Sequence, residues 1–228
     1  MSIFGRGVMA TTTVPAPLTL PLTGMRAGYD ARDLSPGAVS AWADISGNGR
    51  NASQSDPALQ PGYEASVASL NGQPAAVFNG VKRLTLNSIN VGAAAGFSVY
   101  WVADFGGANA GTASTPFYGN QTQLSVASGS TNAAPSVYLD TDRALGYPAD
   151  SMAGPACWTW TTGLAPAAYV DRVRTGVASV PSQKGLNASP TTLGHTNNAA
   201  AKVAAFFIYD GIHDATQRAA VWDYIYQE

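Results

Sequence analysis

The segment YLDTDR, Tyr138 to Arg143, sets two carboxylates two residues apart beside a phenol and a guanidinium. In an extended strand Asp140 and Asp142 would face one side together with Tyr138, because strand side chains alternate with period two. Carboxylates placed this way have three uses. They can share the acid and base work of cutting a glycosidic bond, give oxygens to a calcium ion or a partner, or sit solvated in a turn against Arg143. The ordinary use of Asp in turns favours the last. Nearby aromatics offer a different chemistry. Trp158 and Trp160 in CWTWTTG share one face of one strand, as a core stripe or as a surface on which sugar rings stack. Tyr118 and Asn120 in TPFYGNQTQ fall on or near a loop, where binding residues concentrate. These seven residues form the candidate ligand-binding set, with no catalytic residue among them.

Other chemistries are poorly supplied. GNGRNA, from Gly47, matches the G-x-G-x-x-A form of a dinucleotide turn, but that reading needs a helix starting in the turn to hold the pyrophosphate. Pro57 and Pro61 break any such helix. GRGVMA, from Gly5, fails the same test of context. The expectation for AWADISGNGRNA is a sharp β corner. Gly47 and Gly49 take positive φ, Asp44 caps the N–H groups of the turn, and Trp42 points into the core. There is no G-x-S-x-G elbow. His195, His213 and the single Cys157 do not make a usual zinc set. His213, just ahead of a helix, reads as structural, His195 as a loop residue, and Cys157 as a buried thiol. Calcium would have to gather oxygens from Asp30, Asp44 and Asn48, so it stands only as an option and no cofactor is expected.

Composition narrows the class. Of 228 residues 46% are hydrophobic, enough for a sizeable core, and only 11% are charged, against about 25% in typical domains. Ala, Gly, Ser, Thr and Asn fill the surface instead, which suits packing against other proteins. A net charge of −2 argues against a nucleic-acid partner, which needs clustered Lys and Arg. The apolar run VAAFFIY is far short of the roughly 20 residues of a membrane helix, so no membrane insertion is expected. The first residues lack the continuous apolar segment of a secretory signal, and the sequons at Asn51, Asn120 and Asn187 therefore carry no weight.

Residues 1–24 read as an arm. MATTTVPAPLTLPLTG holds three prolines, five threonines and no acid, a composition suited to extended chain. From Met25 to Glu228 the grammar is β, one domain of short Val-, Thr- and aromatic-rich segments between Gly, Pro, Asn and Ser clusters, as in a sandwich or barrel. FSVYWVADF is apolar on both faces and predicts a central strand; RVRTGVAS alternates and predicts a half-exposed one. Only HDATQRAAVWDYIYQE reads as helix, with Asp214 as N-cap, Gln217 completing a capping box, and Val221, Tyr224 and Ile225 on one face.

Several blocks together carry a family resemblance: YDARD with GAVSAWADISGNGRNASQ, NGQPAAVFNGVKRLTL, AYVDRV, TTLGH and AAFFIYDGIHDATQRAAVWDYIYQ. In this order they resemble the concanavalin A-like lectin/glucanase superfamily in its laminin-G-like branch, over roughly Met25 to Glu228. The resemblance implies an all-β fold, a two-sheet antiparallel jelly-roll sandwich with a short C-terminal helix. It also implies glycan or protein binding, calcium in some members and glycosidase activity in others. The glycosidase motif of that superfamily resembles E-x-D-x-x-E, and this chain has only Glu64, read as a loop residue, and the last residue, Glu228.

The reading that follows is a non-enzymatic attachment protein of a bacteriophage virion, a decoration, fibre or tail appendage. Its arm would dock to other virion proteins, and its jelly roll would bind a glycan or host surface weakly, gaining strength through many copies in an oligomeric assembly. It would be made in the host cytoplasm and be extracellular after release. Two alternatives stay open: a divergent glycan-cleaving enzyme using Asp140 and Asp142, and a free bacterial carbohydrate-binding module.

Overall fold

The computed structural model describes residues 19–87, 89–91, 96–104, 113–119, 122–128, 135–139, 142–146, 153–161, 164–170, 173–177, 186–188, 191–194 and 198–226; side chains are described at 19–87, 89, 96–104, 192–194 and 201–226. The first half runs β1 (Met25–Asp30), β2 (Ala41–Trp42), β3 (Ala52–Ser53), β4 (Gly62–Val67), β5 (Gln73–Gly80), β6 (Leu84–Leu86), β7 (Ile89–Val91), β8 (Phe97–Asp104) and β9 (Ala113–Gly119). The second runs β10 (Thr122–Ser128), β11 (Pro135–Leu139), β12 (Asp142–Gly146), β13 (Ala153–Thr161), β14 (Leu164–Val170), β15 (Val173–Val177), β16 (Leu186–Ala188), β17 (Thr191–Leu193), β18 (Asn198–Asp210) and the helix α1 (Ala215–Ile225).

The strands make two large antiparallel sheets. The first has the order β15-β14-β13-β8-β18-β5-β4, with β1 also on β18, and the second the order β12-β11-β10-β9-β17-β6-β3-β2. Strands β7 and β16 form a separate pair. This is the expected all-β sandwich with its single C-terminal helix. β8 is central, buried along Phe97–Ala103 on both faces, as its two-sided apolar sequence predicts. Its two faces feed two cores. Phe97, Val99 and Trp101 join Tyr29, Phe78, Phe206 and Ile208 in packing against Trp42, Leu84, Leu86 and Leu193 of the second sheet. Tyr100 and Val102 face the other way, with Phe207 and Tyr209, under Val221, Trp222 and Ile225 of α1. The helix thus covers the outer face of the first sheet.

Local chemistry fixes the ends of these elements. Asp214 accepts from the Gln217 N–H at 2.8 Å while the Gln217 side chain accepts from the Asp214 N–H at 2.9 Å, the expected capping box. At the other end Gln73 donates to the Ile225 carbonyl at 3.1 Å. The buried face of α1 is Val221, Trp222 and Ile225, while Tyr224 is half-buried. Trp222 therefore takes the place the spacing had assigned to Tyr224.

Three differences from the sequence reading are local, while the break in YLDTDR agrees with the turn that the sequence favoured over a strand. β1 and β4 were not anticipated: β1 is short with a charged residue near each end, and β4 follows a proline turn. Glu64 lies in β4 rather than in a loop, bridged to Lys202 on β18 at 2.9 Å. YLDTDR is not one strand, because β11 ends at Leu139 and β12 begins at its partner Asp142. AAYVDRVRT is likewise divided between β14 and β15. Residues 1–18 of the arm lie outside the described residues. Thr19–Gly24 belong with the sandwich: Leu20 is 9% exposed, Tyr209 donates to the Pro21 carbonyl at 2.9 Å, and the Asp210 N–H donates to the Gly24 carbonyl at 2.8 Å.

Candidate functional site

The second sheet presents its outer face without a covering helix among the described residues. Leu84, Leu86 and Leu193 point into the core from β6 and β17, so the alternate positions Thr85 and Thr192 lie on the opposite face. Thr85 is exposed, and Thr192, half-buried, donates to the Gly194 carbonyl at 2.9 Å. Cross-strand register extends this pair into a row. Ala41 pairs with Ser53, Ser53 with Thr85, Thr85 with Thr192, Thr192 with Tyr118, and Tyr118 with Gln123. A second row runs from Ser125 to Tyr138 to Arg143.

The sequence-derived set is thereby divided between the sheets. Tyr118, Tyr138 and Asp142 stand on β9, β11 and β12 of the second sheet, with β10 between β9 and β11. Asp142 pairs with Leu139 and not with the position of Tyr138. Trp158 and Trp160 are on β13 in the first sheet, paired with Val99 and Phe97, two residues of the inter-sheet core. Asn120, Asp140 and the loop residue His195 lie outside the described residues. The row through Ser53, Thr85 and Thr192 was missed by sequence reasoning, since small hydroxyl residues give no local signal of their alignment.

The described carboxylates are engaged in holding the fold. Asp44 accepts from the N–H of Gly28 at 3.0 Å, of Ser46 at 3.0 Å and of Arg50 at 2.9 Å, and from the Ser46 hydroxyl at 2.8 Å. Gly47 and Gly49 have φ of 80° and 68°, and the Asn48 amide donates to the Met25 carbonyl at 2.8 Å. The opening stretch is the expected corner, clamped onto β1. Trp42 is buried and donates to the Asp30 carbonyl at 2.9 Å. Asp30, 2% exposed, receives Arg32 from two nitrogens (Nη2 at 2.5 Å) and the Tyr224 hydroxyl at 2.8 Å. Arg32 also stacks 4.5 Å from the centre of the Tyr224 ring. The oxygens of Asp30 and Asp44 are thus occupied by different donors, and Asn48 is turned to carbonyls as a donor. The three do not form a calcium cage, and among the described residues no group of three or more acidic, His or Cys side chains could hold a metal.

Electrostatics follow from these contacts. The hydrogen bond to Asp30 holds the Arg32 guanidinium more firmly protonated than usual. Burial pushes the Tyr224 phenol up, with the charge of Asp30 adding to it, and burial pushes Tyr29 up likewise. Asp33 is raised by partial burial and then by Asp30, the most acid-like setting among the described carboxylates. Its neighbour Asp30 is locked by Arg32. His213 is lowered to about 4 by burial. Its Nδ1 lies 2.7 Å from the Tyr100 hydroxyl and its N–H donates to Ser98 at 2.9 Å.

No family model matches the chain, and no curated protein matches its sequence. Solved structures do match its fold. A structure of botulinum neurotoxin type C, described by the dependence of its cell entry on interaction with two ganglioside molecules, superposes with a TM-score of 0.62 at 11% identity, over 90% of this chain and 52% of that one. Trypanosoma rangeli sialidase in complex with sialic acid gives 0.54 at 14% identity, over 96% of this chain and 37% of that one. Domain 4 of an extracellular GH43 arabinanase from Geobacillus stearothermophilus, in complex with arabinotriose, gives 0.56 at 13% identity, over 87% of this chain and 97% of that domain. The chain spans about a third to a half of the sialidase and toxin chains and nearly the whole of the arabinanase domain. At these identities the likeness is one of fold: the chain is a two-sheet antiparallel β-sandwich of the architecture found in parts of those three proteins.

Proposed function

We propose that this chain is a glycan-binding β-sandwich that acts by attachment and not by catalysis. The observation that supports it is the outer face of the second sheet, which no helix covers among the described residues and along which register aligns Ser53, Thr85, Thr192, Tyr118 and Gln123 in one row. Positions carrying Ser, Thr, Tyr and Gln on adjacent strands suit the many hydroxyls of a sugar chain, and a sheet holds such positions at fixed spacing. Solved neighbours that carry a sugar ligand or a ganglioside interaction in their descriptions lend this reading support. Five of the described carboxylates are engaged elsewhere, which lends support to binding over hydrolysis. Cleavage needs two available carboxyl groups about 5–10 Å apart, whereas Asp30, Asp44, Glu64, Asp104 and Asp210 are each held by Arg32, the corner N–H groups, Lys202, Ser69 and Arg26.

A glycan array with the full chain and a Thr85→Arg variant tests this. Thr85 is exposed, so the variant folds normally and crowds the row. The expected result is a defined set of bound glycans, lost in the variant; glycans bound equally by both proteins would overturn the site, and no binding on a multivalent array would overturn the function.

The finer reading is a bacteriophage surface or appendage protein, with its arm docked to the particle. Its support is the Thr- and Pro-rich arm and the 11% charged composition. Because Leu20 and Pro21 are built into the sandwich, the informative deletion is residues 1–18. The shortened chain should keep its Tm and fail to incorporate into particles. Normal incorporation would refute the docking role.

A further inference from the structure

At the free edge of the first sheet, where β4 begins and β5 ends, lies an open groove of about 460 Å³, within the roughly 300–1,000 Å³ of small-molecule sites. It is remote in kind from the flat face of the second sheet, since its walls come from β4, β5 and three turns. Each wall is tied by backbone hydrogen bonds. The Val39 N–H donates to the Pro61 carbonyl at 2.8 Å, the Arg83 N–H to the Leu59 carbonyl at 2.9 Å, and Gly62 pairs with Val77. Asp56 caps the turn at Pro57–Leu59 by accepting from the Ala58 N–H at 2.9 Å. A groove with walls fixed this way loses little entropy on binding.

Its chemistry is specific. Pro61 and Val77 supply an apolar floor, and Gln60, Tyr63, Asn79 and Lys82 also line the groove, with the Tyr63 ring turned toward the inter-sheet core and Asn79 on the outer face of β5. Gln60 donates through Nε2 to the Gln54 carbonyl at 2.8 Å, which leaves its Oε1 as an acceptor. Tyr63 is half-buried against the inter-sheet core, which holds its ring in place. Among the described residues the Tyr63 hydroxyl, the Asn79 amide and the Lys82 ammonium have no hydrogen-bond or ion-pair partner in the protein, unlike Lys202 and Glu64 nearby, which bridge each other. Carboxamides, which both donate and accept, are the chemistry that meets the adjacent hydroxyls of a sugar ring. An ammonium with no counter-ion adds a demand for negative charge.

We infer that this groove binds a carboxylate-bearing sugar unit, with Lys82 on the carboxylate and Asn79 and Gln60 on ring hydroxyls. The inference rests on the glycan-binding reading but places an acidic sugar on a different surface from the second-sheet row.

The test is calorimetric titration of the full chain with trigalacturonate, with N-acetylneuraminate, and with the carboxyl-reduced form of trigalacturonate. Variants are Lys82→Gln, Asn79→Ala and Thr85→Arg, each checked for an unchanged Tm. At least one acidic sugar should bind, the carboxyl-reduced form and Lys82→Gln should each weaken binding about tenfold or more, and Thr85→Arg should leave it unchanged. Rising salt should weaken the wild type and not Lys82→Gln. Equal affinity for the charged and reduced forms, indifference to Lys82→Gln, or no binding of either acid would overturn the groove. Loss of acidic-sugar binding in Thr85→Arg alone would overturn it too while leaving the second-sheet face standing. Loss of array binding in Lys82→Gln, with Thr85→Arg active, would uphold the groove and overturn that face.

Discussion

The hydroxyl of Tyr100 lies 2.7 Å from Nδ1 of His213, in the core between the first sheet and α1. Tyr209 stacks on the same imidazole with ring centres 4.4 Å apart, and Arg218 donates to the His213 carbonyl at 2.5 Å. His213, 4% exposed, is therefore a neutral ring locking the entry to the helix.

Its pKa of about 4, held down by burial against 6.5 for a free histidine, makes stability depend on pH. The unfolded chain takes the proton first, so stability is greatest above about pH 6.5 and falls as pH drops toward 4, by about 3 kcal/mol over the window. Asp214 opposes the shift and Arg218 adds to it. Urea denaturation at pH 7.5, 5.5 and 4.5 should show this slope, and His213→Gln should flatten it. A slope unchanged in the variant would assign the effect to other groups.

Asp44→Ala should cost about 2–4 kcal/mol, because it strips three backbone N–H groups of one acceptor at once. The loss should appear in Tm and in faster amide exchange at Gly28, Ser46 and Arg50. A change below about 0.5 kcal/mol would mean that water replaces the carboxylate without loss.

Arg32→Gln and Tyr224→Phe both act on Asp30, and they should differ. Removing the guanidinium leaves a buried carboxylate without its cation, a loss of about 3 kcal/mol. Removing the Tyr224 hydroxyl leaves that ion pair intact and should cost about 1 kcal/mol. Equal losses in chemical denaturation would contradict the assignment of the main role to Arg32.

Asp214→Ala removes one arm of the capping box and should cost about 1 kcal/mol. Trp222→Ala empties the centre of the second core and should cost about 3–5 kcal/mol. Thermal melts of the two variants would rank them, and the reverse order would show that capping and not packing secures α1.

What the sequence disclosed was mostly local. The corner at Asp44, the two-sided strand at Phe97–Asp104 and the capping box at Asp214 each depend on residues within a few positions of one another, and each stands as read. β1 escaped notice because its charged ends and Gly28 give no alternation. Gly28 gives close packing there, since a Cβ would meet Met25 Sδ at 2.6 Å and Ile45 Cγ1 at 3.0 Å and both side chains would have to shift. The second-sheet row and the edge groove could not be read at all. Thr85 meets Thr192 only after distant strands pair, and Tyr63 and Asn79 come to one groove through β4, β5 and the turns beside them. Sugar-facing groups of this kind are ordinary Thr, Gln, Asn and Tyr residues, made specific by register and not by motif.

β18 pairs with β8 along one side and with β5 and then β1 along the other, so the middle of the first sheet is supplied by nearly the last strand in the chain. Pairings of such large sequence separation slow folding, because loop entropy is lost before the contacts form. During synthesis β1, β5 and β8 therefore emerge with their principal partner still to be translated. Ribosome-bound chains ending at Thr192 should be protease-sensitive throughout, and chains released at full length should become resistant in a single step.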